Sequence, residues 1–529
     1  MSIETRLKPS TYQDSVRLMR LSAELSGALG VTRATVAMGT DANRRMLQEA
    51  GMLTGAIVTA RADDLMFAVE ADDAAAAAAA LAHAEKLLEE ASRPRAAAGA
   101  GLAPTRSISS AVARLGGANL AVISVAGEFA ALEAAHALEA GLHVLLFSDN
   151  VSLDDERDLK SAGSRAGLLV MGPGAGTAIL DGIALGFANV VERGPIGVVA
   201  GSGTGLQEVT VLVHRGGSGI SQAIGTGGRD LRAGVGGLTT RLGLDMLARD
   251  PETSVIVLLS KPPERVVANE ILEQARGCGK PVVVAFLGGE RPSVTGANLS
   301  FATTLEGAAA QALQAVGAAA EDPFAPEPGT LEAAAARETA ALAPSQRYVR
   351  GLFSGGSLCD EALLILRGAD IGPVRSNAGG DPTLLLADAW RSEGHALVDL
   401  GEEEFTRGRP HPMIDPRVRQ DRLLAEASDP ETAVILLDVV IGYGSNSDPA
   451  GALASTIREA RAAAAAAGRY LPVVAHVLGT DLDPQGLERQ EETLRAAGVV
   501  VASTNAQAAR LVGQIALGAA AVSAAHANG

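Results

Sequence analysis

The chain has 529 residues, of which 47% are hydrophobic and 20% charged, so it can bury several cores and is not a disordered polymer. Its 44 basic residues stand against 61 acidic ones, a net charge of −17, and aromatics make up only 3%. That balance excludes nucleic acid and anionic membrane surfaces as general partners, because a phosphate backbone needs a basic face and bases need aromatic platforms.

At roughly 100–200 residues per domain the length calls for about three or four domains. Two cysteines, Cys278 and Cys359, cannot build a disulfide framework, and no apolar run approaches a membrane span. The expected setting is the cytoplasm. Any anion must be held by local groups such as backbone N–H at helix N-termini, and the 61 glycines supply loops that approach a ligand closely.

Four sections follow in chain order. Residues 1–95 alternate helix and strand: helix Ser15–Ser26, strands Thr32–Met38 and Leu65–Val69, and helix Asp72–Glu90. This predicts a small ACT-like α+β domain, followed by a linker at Ala96–Pro104. Residues 107–192 read as a Rossmann-like domain with strands Ala118–Val125, Leu142–Phe147 and Leu168–Met171 around helix Glu128–Ala140. Residues 193–325 begin a flavodoxin-like unit: strand Gly197–Ala200, a glycine loop, helix Leu206–Arg215, then strands Ser254–Leu259 and Pro281–Phe286. Ala320–Ser345 reads as an interdomain linker. Residues 346–520 repeat the plan, with strand Val349–Phe353, helix Leu358–Arg367, strands Val434–Val440 and Pro472–Leu478, and helices Ala450–Ala467 and Ala506–Leu517. The fold class is multidomain α/β with parallel sheets, and the tail Ala520–Gly529 is expected to fray.

The sharpest motif is strand–Gly201-Ser-Gly-Thr-Gly205–helix. The N–H groups of Gly203, Thr204 and Gly205, with the hydroxyls of Ser202 and Thr204, form a cradle for phosphate or carboxylate. It lacks the lysine of a Walker loop, and the plain alternative is a tight strand–helix turn. A second cradle of the same type is Gly355-Gly356-Ser357 before the helix at Leu358. Two such helix ends converging on one point would make a strong anion site. In Gly225-Thr-Gly-Gly-Arg-Asp230, Gly227 and Gly228 allow close approach and Arg229 can clamp a carboxylate, against the reading of a solvated surface turn. His411 is frozen between Pro410 and Pro412, which suits acid–base work or, equally, a capping loop. Asp438 stands near the carboxyl end of the predicted strand Val434–Val440, and Tyr443 and Gly444 lie just beyond it, where open sheets bind ligands; the plain alternative is a glycine-rich turn. No His, Cys or Asp cluster has metal-ligand spacing, so no metal is expected.

Ala118–Lys160, Met171–Gly174, Gly194–Thr204 and Ile224–Gly228 resemble the succinyl-CoA synthetase alpha subunit, and residues 346–520 resemble the C-terminal domain of its beta subunit. This fused order, with Gly39-Thr-Asp-Ala-Asn43, Phe147-Ser-Asp-Asn-Val151, Ala302-Thr-Thr-Leu-Glu306, Pro410-His-Pro-Met-Ile-Asp415 and Gly442-Tyr-Gly444, is similar to the FdrA family over nearly the whole chain. The resemblance has three departures. The phosphohistidine position of the synthetases reads Ala297, followed by Asn298, and their partner glutamate lies where this chain has Ser260-Lys-Pro-Pro263. The CoA-binding first loop and an ATP-grasp domain have no counterpart.

The resemblance therefore implies a carbamoyltransferase subunit acting on oxalurate and phosphate to give oxamate and carbamoyl phosphate, in allantoin and purine breakdown. In that reading Ser202–Gly205 and Gly355–Ser357 hold phosphate. Arg229 or Asn298 holds a carboxylate or polarises a carbonyl, His411 or Asp438 moves a proton, and Gly227, Gly228, Tyr443 and Gly444 line the pocket. No tightly bound cofactor is expected. Phosphate and carbamoyl phosphate are substrates, with further subunits and a homodimer as partners. The alternative is a synthetase-like acid–thiol ligase subunit, using CoA and nucleotide. A metabolite-binding scaffold is the third reading.

Overall fold

In this computed structural model, residues 2–11, 13, 15–92, 105–290, 293–379, 381–406 and 409–527 are described. The linker expected at Ala96–Pro104 lies outside them, as does Gly408 of the proline-framed histidine motif. The chain divides into two units, Met1–Thr105 with Glu403–His411, and Arg106–Glu402 with Pro412–Gly529.

The first unit is built on one central strand. Strands β1 (Ser2–Lys8), β2 (Val31–Met38) and β3 (Leu65–Ala71) form an antiparallel sheet in the order β1-β3-β2. β3 is apolar on both sides because each face is covered. Phe67 and Val69 pack on Leu18, Leu25 and Leu81, while Met66 and Ala68 pack on Leu47, Met52 and Ile57. Not expected from the sequence are β1, whose alternating polar residues give little signal, and helix Asp41–Glu49, which Thr40 caps through Asn43 N–H at 3.3 Å.

The second unit holds parallel sheets. β4 (Leu120–Ile123), β5 (His143–Leu146) and β6 (Val170–Met171) pair in parallel order. Next come β7 (Thr177–Leu180), β8 (Ile183–Gly186), β9 (Arg193–Ala200), β10 (Ile220–Gly225), β11 (Val255–Ser260), β12 (Val282–Phe286) and β13 (Leu299–Phe301). They form one sheet, β13-β12-β11-β9-β10-β7-β8, parallel except where the β7–β8 hairpin adds antiparallel strands at one edge. The third sheet contains β14 (Tyr348–Phe353), β15 (Val374–Ser376), β16 (His395–Asp399), β17 (Thr432–Val440), β18 (Val473–Leu478) and β19 (Val500–Ala502), all parallel in the order β15-β16-β14-β17-β18-β19. The runs β10-β9-β11-β12-β13 and β16-β14-β17-β18-β19 share the doubly wound 2-1-3-4-5 order, so β9 and β14 are equivalent first strands at the topological switch point.

These two sheets face each other across four helices: Gly203–Arg215, Leu305–Ala315, Gly356–Arg367 and Asn505–Ala527. Leu206, Val209, Leu313, Leu358, Ala362, Leu366, Ala508 and Val512 meet there in one shared core. The third and fourth sections thus join within one chain. Helix Gly203–Arg215 is buried from Gly205 to Val213 for that reason. No described helix is long and apolar enough to cross a membrane.

Candidate functional site

β9 and β14 each end in a glycine turn that opens a helix of the shared core. In the first turn Ser202 takes an extended backbone and its Oγ accepts the Gly205 N–H at 3.0 Å, so the helix carries its own cap. Gly205 must be glycine, since a Cβ there would stand 2.5 Å from Ser202 Oγ and 3.0 Å from Leu259 Cδ2. Gly203 is exposed, and neither its N–H nor that of Thr204 has a protein acceptor among the described bonds.

The second turn is capped from elsewhere. Gly355 offers no side chain. Asp438, at the end of β17, accepts the N–H groups of Ser354 at 2.9 Å and Gly355 at 2.7 Å, and Ser354 Oγ at 3.1 Å. Thr204 of the first loop accepts the Ser357 N–H at 3.3 Å. Ser202 Oγ and Ser357 Oγ are in direct hydrogen-bond contact. The two helix N-termini therefore converge on one point, a juxtaposition that adds two aligned dipole ends. A Cβ on Gly355 would lie 3.1 Å from both Asp438 Oδ2 and Thr204 Cγ2, which explains the glycine.

Buried glutamates hold this convergence. Glu208 and Glu361 are the sixth residues of the two loop helices, and each caps the terminal helix of the opposite section. Glu361 accepts Leu305 N–H at 2.6 Å and Asn505 Nδ2 at 2.8 Å, and Glu208 meets Asn505 N–H at 3.5 Å and His476 Nε2 at 3.0 Å. Burial, then the neighbouring Glu208, pushes the Glu361 carboxyl up to about 7 against the pull of Asn505.

Other glycine loops close around the first. Gly227, at φ +87, presses on Gly172–Pro173, and Gly228 approaches Gly201 O. Thr177 Oγ1 lies 3.7 Å from where Gly203 would carry a Cβ and donates to Phe187 O at 2.6 Å. Gly444 packs on Phe187, and Tyr443 N donates to Ala188 O at 2.8 Å with its ring half exposed.

Three acid–base or clamp assignments need correction. Asp438 is fully buried, paired with Arg419 at 2.5 Å and occupied by the loop N–H groups, so it serves as a strut for the second turn. Asn298 donates to Ala275 O at 3.0 Å and Lys280 O at 2.9 Å, at the amino end of β12, the opposite sheet edge from the loops. Arg229 turns to Glu156 at 2.8 Å and Val151 O at 2.9 Å. Its neighbour Asp230 binds Lys160, whose ammonium also donates to Thr226 O at 2.8 Å, so this network supports the Gly227 turn from behind. His411 falls in the first unit, whereas both loops belong to the second.

Besides Asp438, charged groups not singled out in the sequence stand at the converged turns. Lys261 follows β11 and pairs with Asp360 of the second loop helix at 2.9 Å. Its pKa is raised: burial alone would lower it, but Asp360, then Asp399 and Glu402, outweigh that. Asp399 ends β16 and is buried at 4% exposure. Burial, then Glu402, raises its carboxyl to about 7. The Cys359 thiol is pushed far up, first by burial and then by Asp399 and Asp360, so it is no nucleophile at neutral pH. Only the Ser260-Lys261 departure from the synthetase pattern could have pointed to this cluster.

Comparison with known proteins gives two family matches: residues 352–515 match the CoA-ligase family and residues 1–104 match the family described as AllF, heavy metal-associated domain. Neither cysteine lies in that second region, and among the described residues no group of His, Cys, Asp and Glu could hold a metal ion. The uncharacterized protein YahF of Escherichia coli (strain K12) is 46% identical over 506 residues, covering 96% of this chain and 97% of that one. The ADP-forming sulfoacetate-CoA ligase subunit SauD of Bilophila wadsworthia is 28% identical over 32% of this chain and 60% of its own length. The alpha subunit of ADP-forming succinate–CoA ligase from Aquifex aeolicus is 30% identical over 27% of this chain and 48% of its own. Among solved structures, apo acetyl-coenzyme A synthetase 1 of Ca. Korarchaeum cryptofilum aligns over 77% of this chain and 84% of that chain at 16% identity and a TM-score of 0.29.

Proposed function

Because the chain belongs to the family of Escherichia coli YahF, we propose that its converged loops hold the phosphate of an acyl phosphate and that it is the acyl-phosphate-handling subunit of a larger enzyme. The observation that carries this is the contact between Ser202 and Ser357, which brings two helix N-termini together beside the open Gly203 and Thr204 N–H groups in an acidic protein. The first helix end, whose N–H groups are open, favours a bound anion by about 0.3–1 kcal/mol, rising to about 2 when partly buried. Attack on the acyl carbon breaks the C–O bond to phosphate, and negative charge grows on the departing oxygen. The open Gly203 and Thr204 N–H groups, with the one serine proton not spent on the Ser202–Ser357 contact, would stabilise that charge without reorganising. In reverse, bound phosphate attacks the carbonyl.

Two reactions fit such a site. Similarity to the CoA-ligase family and to acid–CoA ligase subunits supports an acid–thiol ligase subunit, with ATP and CoA bound largely by a partner chain. Ala297 at the phosphohistidine position supports the second form, carbamoyl transfer, in which phosphate displaces oxamate from oxalurate, the amide nitrogen takes a proton and carbamoyl phosphate leaves. Calorimetric titration with inorganic phosphate tests the shared premise. Saturable binding that Ser202→Ala and Thr204→Ala both weaken is the expected result, and a protein that binds neither phosphate nor an acyl phosphate overturns it. With its partner subunits, oxalurate formation from carbamoyl phosphate and oxamate, against CoA thioester formation from an acid and ATP, distinguishes the two forms.

A further inference from the structure

The outer surface of the Rossmann-like section carries an open apolar groove. Helices Gly127–Glu139 and Leu153–Ala166 pack side by side on the β4-β5-β6 sheet. Ala130, Ala134 and Ala137 of the first helix are buried against that sheet. On the side away from it a groove of about 540 Å3 runs between the helices. Ala131, Ala135 and Leu138 line one wall, and Leu159, Ala162 and Ala166 the other. These positions recur at three- and four-residue spacing, so the groove follows one stripe along each helix. Leu132 on its lip is 59% exposed, and Phe129, one turn earlier, is 58% exposed. Large apolar side chains left in water beside an apolar groove mark a place where another chain sits.

The charges around the groove restrict what that chain is. Asp155, Asp158 and Glu139 line it, and Glu128 and Asp154 lie in the first turns of the two helices. β4, β5 and β6 are parallel, so the two helices run parallel and their first turns share one end of the groove. Helix dipoles favour acids in those first turns, but Asp158 and Glu139 stand beyond them. Arg157 is divided between Asp154 at 3.0 Å and Asp158 at 3.3 Å, and such exposed pairs are weak. Arg165, in the last turn of its helix, is the other cation of this pair of outer faces, so carboxylates are in excess. A second copy seated groove to groove would set Asp155, Asp158 and Glu139 against their own kind. A helix with an apolar face flanked by Lys or Arg meets both the groove and its rim.

We propose that the groove between Gly127–Glu139 and Leu153–Ala166 docks a basic amphipathic helix of another protein chain, its apolar face on Leu132, Ala135 and Leu159 and its cations on Asp155, Asp158 and Glu139. The inference goes beyond the acyl-phosphate reading and does not depend on it. The inner side of helix Leu153–Ala166 carries the buried Glu156 and Lys160, and Lys160 holds Asp230 at 2.9 Å and Thr226 O at 2.8 Å. The docked helix would therefore lie on the element that backs the Gly227 turn.

Two designed helical peptides with the same leucine stripe, one with lysine and one with glutamate on the polar face, serve as probes. Fluorescence anisotropy on the full-length protein at physiological salt reads both. The lysine peptide is expected to bind saturably and at least about tenfold more tightly than the glutamate peptide. Filling the groove with Ala135→Trp should weaken the lysine peptide about tenfold, and so should the double substitution Glu139→Lys with Asp158→Lys. The double variant changes only surface charge, so it keeps the test intact where the tryptophan variant does not fold. Equal affinity for the two peptides, or lysine-peptide binding that neither variant moves, would reduce the effect to general attraction by an acidic protein and overturn the proposal. A wild-type homodimer that Ala135→Trp dissociates in sedimentation would overturn it in favour of a second copy. Phosphate titration of the same proteins tests the acyl-phosphate reading separately.

Discussion

The turn at Gly201–Gly205 and the turn at Ser354–Ser357 occupy equivalent points of two sheets with the same strand order, yet they are built on opposite principles. The first is self-sufficient: Ser202 caps its own helix, and Gly203 opens to solvent with its N–H uncommitted. The second already contains its anion, because Asp438 sits on the Ser354 and Gly355 N–H groups and Asp399 lies against Gly356. A carboxylate in the cradle uses the donors and the dipole that a ligand would otherwise take. The lesson is a division of labour: the first turn keeps open donors, and the second is braced by an internal carboxylate and serves to position it.

The comparison breaks hardest at Asp438. Asp438→Ala leaves Arg419 buried without its partner and strips the second turn of its cap, so a loss of about 3–5 kcal/mol in urea unfolding is expected. An unchanged midpoint would mean that this turn does not depend on its internal carboxylate. Ser202→Ala should cost about 1 kcal/mol through the lost helix cap and weaken phosphate binding about tenfold by calorimetry. Ser357→Ala should cost less stability, since the Ser357 hydroxyl caps no helix.

A smaller effect sharpens the contrast through pH. Asp399 and Glu361 have folded-state pKa values of about 7, above their ordinary 3.8 and 4.5. The folded protein thus holds protons that the unfolded chain has released. Their contribution is full below the unfolded values and is lost as pH rises through 7. The groups acting on Asp399 are Glu402, Lys261 and Asp360, and those acting on Glu361 are Asn505, Glu208, the Leu305 N–H and Glu306. Melting temperatures should fall between pH 5 and pH 8, and Asp399→Asn should reduce that fall by a few degrees. A variant as pH-sensitive as wild type would count against the buried charge. The smallest effect is expected at Asn298→Ala, where loss of two hydrogen bonds lowers stability by about 1–2 kcal/mol while phosphate affinity stays within twofold of wild type.

Much of the fold was legible because parallel strands buried on both faces announce themselves. Val255–Ser260 and Thr432–Val440 are buried at every position, and such continuous apolar runs between glycine turns have few other readings. β1 and the β7–β8 hairpin were missed, since edge strands keep polar positions and short hairpins carry little periodicity. The two glycine turns were also legible, as strand–glycine–helix junctions. Their partners were not. Asp438 reaches Gly355 across 83 residues, Ser202 meets Ser357 across 155, and Glu208 meets Asn505 across 297.

By itself the sequence determined where chain turns are tight, which strands are buried and which helix ends leave donors open, because backbone sterics and hydrophobic pattern act over a few residues. Tertiary structure alone decided that two of those helix ends meet, that one is filled by an internal carboxylate, and that Asp399 and Lys261 stand beside them while Asn298 points to the far edge. Those outcomes depend on burial and on pairings across hundreds of residues. Low dielectric and close packing set the charge and hydrogen-bond partners there, and no local pattern records them.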